Sequence, residues 1–188
     1  MAPEAGALAG LVAHAASLGG SRRARGAVER GRSGTGLRRA RSRLPGVLTI
    51  DLAKSPEDRA AVFTIRGAVF VAEQRVPIAE EPDSRDADAD HLLARIDGVP
   101  AGTGRLVAEG ELGVLGRLAV LPEARGTGAG AALVRAIEER ARELGLAEIE
   151  LHAQTHALGF YERLGYTARG EEYLDAGIPH RDMRKPLH

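Results

Sequence analysis

The chain contains no cysteine. Disulfides, thiolate-bound metals and a covalent cysteine intermediate are excluded, and a reducing compartment is compatible with the composition. No apolar run approaches the length of a membrane span. The apolar segment Ala5–Leu18 has no Lys or Arg before it, which argues against a secretory signal, so the expected location is cytoplasmic. There is no internal repeat, and there is no net charge over the 188 residues. That zero is a balance of unlike parts. Residues 1–46 hold nine arginines against Glu4 and Glu29, an excess of seven positive charges that the remainder offsets with seven negative ones. An acidic body favours cationic ligands and gives no support to nucleic-acid binding.

What is present divides the chain in two. Residues 1–46 are rich in Ala, Gly, Ser and Arg, and the stretch Gly19–Arg43 has little apolar content. Such a segment buries too little surface to offset its ordering entropy and is expected to be disordered, with a short helix possible around Ala7–Ser17. Its arginines could pair with phosphates, but no aromatic residue interleaves them to stack on bases, so a solvated extension is the expectation. Residues 47–188 are expected to form one domain, with enough chain to bury a core.

Within that domain Val47–Leu52 reads as a strand, and Ser55-Pro56-Glu57-Asp58 as a helix start. Ala61, Ile65, Ala68, Val69 and Ala72 carry the helix to about Glu73. Glu80–Asp90 is strongly acidic; counted from Asp86 its sixth position is His91 rather than the Gly of a calcium loop, so a solvated or substrate-facing loop is expected. His91–Ile96 and Ala101–Val107 read as two strands of a hairpin joined through Asp97-Gly98-Val99-Pro100. Leu112–Leu121 is an apolar strand interrupted by Gly113, Gly116 and Arg117, which suggests a bulge or a close backbone approach. Arg117 is either a sheet-edge residue or a ligand contact. Leu133, Val134, Ile137, Ala141 and Leu144 mark a helix stopped by Gly145. A strand (Ala147–Ala153), a short helix (Ala157–Leu164) and two strands (Tyr166–Tyr173, Asp182–Leu187) follow. The fold class is α/β (α+β): a mixed sheet with helices on its faces.

Arg125-Gly126-Thr127-Gly128-Ala129-Gly130 joins the apolar strand to the following helix. Glycines allow positive φ and close ligand approach, and a helix start offers unpaired N–H groups, so the turn can cradle a phosphate or pyrophosphate. A P-loop is excluded because no Lys-Ser or Lys-Thr follows the glycines. Gly126, Gly128 and Ala131 satisfy a dinucleotide fingerprint with Glu150 downstream, but Leu121–Arg125 separates them from the strand end that fold requires. His152 stands on a strand, so its spacing to His156 does not bring the two onto one helical face, and no metal is expected from His91, His152, His156 and His180.

Arg125, Gly128 and Gly130 meet Arg/Gln-x-x-Gly-x-Gly/Ala, after Gly116–Val120 and before Ala157-Leu158-Gly159-Phe160-Tyr161-Glu162-Arg163-Leu164-Gly165-Tyr166. In these features residues 47–188 resemble the GNAT (Gcn5-related) N-acetyltransferase superfamily. Arg66–Pro77, His152-Ala153-Gln154 and Gly177–Met183 are similar to its ElaA-like branch. The resemblance implies a mostly antiparallel central sheet with helices on both faces. It implies acetyl-CoA as co-substrate, its pantetheine arm bonded by backbone groups of Leu118, Ala119 and Val120. Val120 N–H would polarise the thioester carbonyl, and Arg125, Gly126, Thr127, Gly128, Ala129 and Gly130 would hold the pyrophosphate. Tyr161 would protonate the departing thiolate. Without cysteine the acetyl group would pass directly to a primary amine of a small molecule, with the acidic loop pointing to a cationic one. Acetylation of protein lysines or N-termini, and a non-catalytic acyl-CoA-binding regulatory module, are the alternatives. An alkylamine is mostly protonated at neutral pH, so a base must help; Glu73, Glu80, Glu81, Asp83, His91, His152 and His180 are candidates.

Overall fold

Seven strands form a single sheet in the order β1-β2-β3-β4-β5-β7-β6 in the structure, a computed structural model. It describes residues 46–175 and 177–187. The basic arm expected over residues 1–46 lies outside the described residues except for Gly46. The strands are β1 (Leu48–Leu52), β2 (Asp90–Ile96), β3 (Val99–Glu109), β4 (Leu112–Val120), β5 (Glu148–Gln154), β6 (Thr167–Asp175) and β7 (Ile178–Pro186). All neighbours pair antiparallel except β4 and β5. Helices α1 (Pro56–Arg66), α2 (Ala129–Glu143) and α3 (Leu158–Glu162) complete the domain. Among the described residues no helix is long and apolar enough to cross a membrane.

Helix α1 starts where expected. Ser55 accepts a hydrogen bond from the Asp58 N–H, and the Asp58 carboxylate reaches back to the Ser55 N–H, a reciprocal cap with Pro56 behind it. It does not run as an α-helix to Glu73. Gly67–Glu73 widens into a π-helix, in which Val69 and Phe70, adjacent in sequence, are both fully buried.

Each face of the sheet has its own core. Leu133, Val134, Ile137 and Ala141 of α2 join Leu106, Leu118, Ile149 and Leu151 of the sheet in the larger one. Gly104 permits this approach: a Cβ there would stand 2.7 Å from Ile137 Cδ1. On the opposite face Val62, Ile65, Val69 and Phe70 cluster with Leu93 and Ala119. At about 25 cal/mol per Å² of buried apolar surface, these two layers supply most of the favourable folding free energy.

The acidic loop is a correction to the expectation. It is folded under the α1 face, where three carboxylates meet three arginines. Arg66 bonds Glu81 at 2.5 Å and Asp86 at 2.8 Å. Arg105 bonds Asp83 at 2.9 Å and Asp86 at 2.7 Å, and Arg117 reaches Asp83 at 3.1 Å and the Glu81 carbonyl. Arg117 is thus neither a sheet-edge residue nor exposed to a ligand. Buried charge is tolerated only when paired and hydrogen-bonded, and here the opposite charges are equal in number. Glu81, Asp83 and Asp86 therefore satisfy the chain's own cations, while Glu80 and Asp88 of the same loop are exposed.

Burial alone would raise the Asp86 carboxyl, but hydrogen bonds from Arg66 and Arg105 hold it far below the usual carboxylate range. His91 donates from Nε2 to the Asp86 carbonyl at 3.0 Å, and burial lowers its pKa. Both groups are depressed in the folded state. Each therefore contributes stability that is complete above its unfolded pKa and is lost as pH falls toward the folded value. Urea unfolding should show stability declining below about pH 6.5 as His91 comes into play, and more steeply below about pH 4 with Asp86. Arg66→Ala, which removes the donor to the Glu81 side chain and leaves Asp86 with Arg105, should cost about 3–5 kcal/mol in the same measurement.

Candidate active site

Strand β4 carries one more residue than β3 across the segment where Thr103 pairs with Ala119 and Arg105 with Gly116. Arg117 takes φ +51° inside this bulge. A bulge bends its strand and increases local twist. Pairing of β4 with β5 stops at Leu115–Leu151, although β4 continues to Val120 and β5 to Gln154. The two strands part beyond that point. Leu121 N–H donates to Ala101 on β3, so by strand alternation the Val120 N–H and C=O face the side that β5 has left. Ala119, by the same alternation, directs its backbone groups to β3. The interior glycines of β4 had signalled the bulge; which backbone groups it frees depends on register.

The glycine turn stands at the end of this gap. Gly126 and Gly128 adopt φ of +77° and +92°. Gly128 is the N-cap of α2 and offers no capping side chain, and no acidic residue occupies the first turn. The first backbone bond of the helix runs from Ala132 N–H to the Gly128 carbonyl at 3.0 Å, so the N–H groups before it lack intrahelical acceptors. Unlike α1, α2 has no N-cap side chain, only a 3.4 Å bond from the Ala129 N–H to the Thr127 hydroxyl, and a helix start of this kind suits an anion. Val120, Ala124, the turn glycines and Phe160 line a cavity of about 150 Å³. Arg125 is engaged otherwise than the phosphate contact the motif implied. Its guanidinium bonds both Glu73 oxygens at 2.8 and 2.6 Å and the Val120 carbonyl at 3.1 Å, tying the π-helix to the turn.

Tyr161 lies on α3 with its ring edge-on to Phe160 at 4.9 Å and Tyr166 at 5.8 Å. It is 0% exposed, and its hydroxyl has no hydrogen-bond partner. Burial pushes the phenol well above its ordinary pKa, so it stays protonated through the neutral range. An orphaned buried hydroxyl is destabilising by about 1–3 kcal/mol. A sulfur or carbonyl partner supplied by a ligand would remove that deficit, so a thioester donor fits the residues present: backbone donors in the gap, an uncapped helix start and an unpartnered phenol.

On the α1 face of the sheet a second polar set borders the same gap. Glu150, His152 and Gln154 project opposite to the core residues Ile149, Leu151 and Ala153. His152 and Asp182 are direct partners across β5 and β7. The Asp182 carboxylate stands 2.8 Å from His152 Nδ1 and accepts the Tyr173 hydroxyl at 2.7 Å. Gln154 donates to the Gln74 side chain at 3.5 Å, while Gln74 Nε2 and the fully buried His180 Nε2 are left without partners. Of the candidate bases, Glu81, Asp83 and His91 belong to the buried ion cluster, and Glu73 holds Arg125. Sequence reasoning did not single out Asp182 or Tyr173. The alternation of His180, Asp182 and Arg184 on β7 against that of β5 was the available signal.

The family described as an acetyltransferase (GNAT) domain matches residues 55–187. A Bacillus subtilis protein provisionally named as an acetyltransferase is 43% identical over 134 residues, covering 70% of this chain and 91% of that protein. Two solved structures are similar throughout the domain. An acyl-CoA N-acyltransferase from Pseudomonas aeruginosa has 32% identity and a TM-score of 0.65, covering 74% of this chain and 99% of its own. Escherichia coli ElaA has 26% identity and a TM-score of 0.67 with the same coverage.

A Cβ at Gly128 would meet nothing within 4 Å, so a substitution there tests backbone conformation alone in the ligand-free chain. Gly128→Ala should lower unfolding free energy by about 1–2 kcal/mol through the positive φ. Urea denaturation measures it; an unchanged midpoint would mean that the turn relaxes to negative φ.

Proposed function

The chain belongs to the GNAT (Gcn5-related) N-acetyltransferase family, and from that premise we propose that it transfers an acetyl group from acetyl-CoA directly to a primary amine of a small molecule. The observation that carries this reading is the parting of β4 from β5 beside an uncapped helix start. Val120 and the turn glycines line one cavity there with Phe160, the neighbour of the unpartnered Tyr161 on α3.

Acetyl-CoA supplies an activated carbonyl and a thiolate leaving group. The N–H groups before Ala132 receive its pyrophosphate, with the helix dipole adding attraction. Leu118, Ala119 and Val120 border the pantetheine arm. The Val120 N–H donates to the carbonyl oxygen as negative charge develops there, a fixed donor that needs no reorganisation. The Tyr161 hydroxyl gives its proton to the sulfur as the carbon–sulfur bond breaks. Arg125 acts in this reading by holding the turn against Glu73 rather than by gripping phosphate. Direct transfer is consistent with the absence of cysteine. A cytoplasmic location belongs to the same proposal, since a chain without cysteine suits a reducing compartment. The exposed Glu80 and Asp88 keep a cationic acceptor within this reading, although Glu81, Asp83 and Asp86 are held by the chain's own arginines.

Calorimetry of acetyl-CoA with the full chain, then thiol release with a panel of primary amines, tests the reading. Gly128→Glu should abolish binding by placing a carboxylate in the anion cradle. Tyr161→Phe should lower turnover about 10²-fold with coenzyme affinity nearly unchanged. The same variant should leave the ligand-free chain as stable as before or more so, since it deletes an unsatisfied buried hydroxyl. Binding indifferent to Gly128→Glu would remove the coenzyme site from this turn. Tight binding with no amine consumed would favour a regulatory acyl-CoA-binding module.

A further inference from the structure

The acceptor face of the gap contains a hydrogen-bonded group that has no structural task of the kind performed by the ion cluster. His152 is the first residue of β5 beyond its last pairing with β4. Its counterpart on β4 is Gly116, which carries no side chain to fill the space between them. The His152 ring stands on the α1 face, opposite the face on which α2 and Tyr161 lie. Donor and acceptor can therefore reach the gap from opposite sides of the sheet.

The ring is held from one edge only. Nδ1 lies 2.8 Å from Asp182 Oδ1 and 2.8 Å from the Tyr173 hydroxyl, which itself donates to Asp182 at 2.7 Å. One arrangement of hydrogens satisfies all three atoms: Nδ1–H and the phenol O–H both donate to the carboxylate. This assignment follows from the network. It leaves Nε2 as a lone-pair acceptor. The nearest ionised atom to Nε2 is Glu150 Oε1 at 3.9 Å, beyond hydrogen-bond reach, and the other Glu150 oxygen is bound by Arg184. The side chain is 15% exposed, and its hydrogen bonds are all made at Nδ1. Tyr173 is fixed in turn by stacking on His180, ring centres 6.1 Å apart, and His180 is anchored by Nδ1 donating to the Ile178 carbonyl at 2.8 Å. A histidine whose tautomer is set by a carboxylate, whose other nitrogen makes no hydrogen bond, and which stands where β5 leaves β4 has the arrangement of a general base.

We propose that His152 is the general base of the transfer, with Asp182 and Tyr173 as positioning residues that hold its ring and tautomer. The inference rests on the acetyl-transfer reading above and names the group which that reading lacks. The amine enters in its neutral form. Its nitrogen bonds to the carbonyl carbon while its proton passes to His152 Nε2. The carbon–sulfur bond breaks with its electron pair going to sulfur, which takes the Tyr161 proton. Solvent then carries a proton from the imidazolium back to the phenolate, so an amide and a free thiol are the only products. The charged and titratable groups around the ring are Glu150 on its own strand, Asp182 and Arg184 on β7, and Tyr173 on β6. His180 lies behind Tyr173, and the π-helix contributes the neutral Gln74 through Gln154.

Two measurements on the full chain test this. The first needs no acceptor: a two-bond ¹H–¹⁵N correlation spectrum at neutral pH, with His152 assigned by His152→Gln. The expected result is the Nδ1–H tautomer in the wild type, moving toward Nε2–H in Asp182→Asn. An Nε2–H tautomer in the wild type, or no change in Asp182→Asn, overturns the proposal. The second is thiol release from acetyl-CoA with a panel of primary amines as a function of pH, alongside acetyl-CoA calorimetry. His152→Gln should lower kcat/KM about 10²-fold and flatten the rise on the acid side, with acetyl-CoA affinity unchanged. Tyr173→Phe, which keeps the aromatic ring and removes one donor to Asp182, should lower it several-fold and shift the acid limb. A His152→Gln enzyme with wild-type turnover and an unaltered acid limb overturns the base while leaving the coenzyme site intact. A wild-type chain that binds no acetyl-CoA overturns the acetyl-transfer reading, and the base with it.

Discussion

One extra residue in β4 governs the rest of the molecule. Between its pairs with Arg105 and Thr103, β4 places two residues opposite a single one of β3, and it cannot then remain in register with the parallel β5. Backbone groups of a central strand are ordinarily consumed by both neighbours, and a buried group left without a partner is destabilising. Here β5 withdraws and the groups facing it become available. A sheet that closed completely would be more regular and would have no place for a substrate. The departure is fixed from below by Arg117, whose side chain, leaving the bulge at positive φ, is bound by Asp83 and the Glu81 carbonyl.

The buried ion cluster and the gap are therefore linked. Arg66 at the end of α1, Arg105 on β3 and Arg117 in the bulge draw the Glu81–Asp86 loop beneath the sheet face that borders the opening. Replacing such a cluster with apolar residues is often neutral or stabilising in energy, so stability alone is a weak reason for its presence. Its geometric effect is specific: three elements and a loop are fixed around one residue of unusual backbone conformation. Arg125 performs a related task at the other end of the gap, where it ties Glu73 to the Val120 carbonyl.

The fold was largely readable from the residues because its signals are local. Ser55-Pro56 marks a capped helix, Asp97-Gly98 marks a tight hairpin, and Gly113, Gly116 and Arg117 mark an irregular strand. The positive φ of the turn glycines and the helix start after them could likewise be read from six residues. What could not be read is pairing across distance. Arg66 finds Asp86 across 20 positions, Arg125 finds Glu73 across 52, and His152 finds Asp182 across 30. No periodicity encodes such partners. An acidic run looks the same whether it faces solvent, a substrate or the chain's own arginines, which is why Glu80–Asp90 was read as solvated or substrate-facing. Arg125 carries a motif whose usual reading is phosphate contact, and only the fold reveals that Glu73 already holds it.

The central claim is that the parted strands and the glycine turn receive one extended donor molecule. Residue-resolved amide hydrogen exchange of the full chain, with and without acetyl-CoA, tests it most directly. Protection should rise together at Val120, at Gly126 and through the first turn of α2, while amides of β1–β3 already paired in the sheet stay as they were. Protection confined to another surface, or a Val120 amide that exchanges equally fast in both states, would contradict the account.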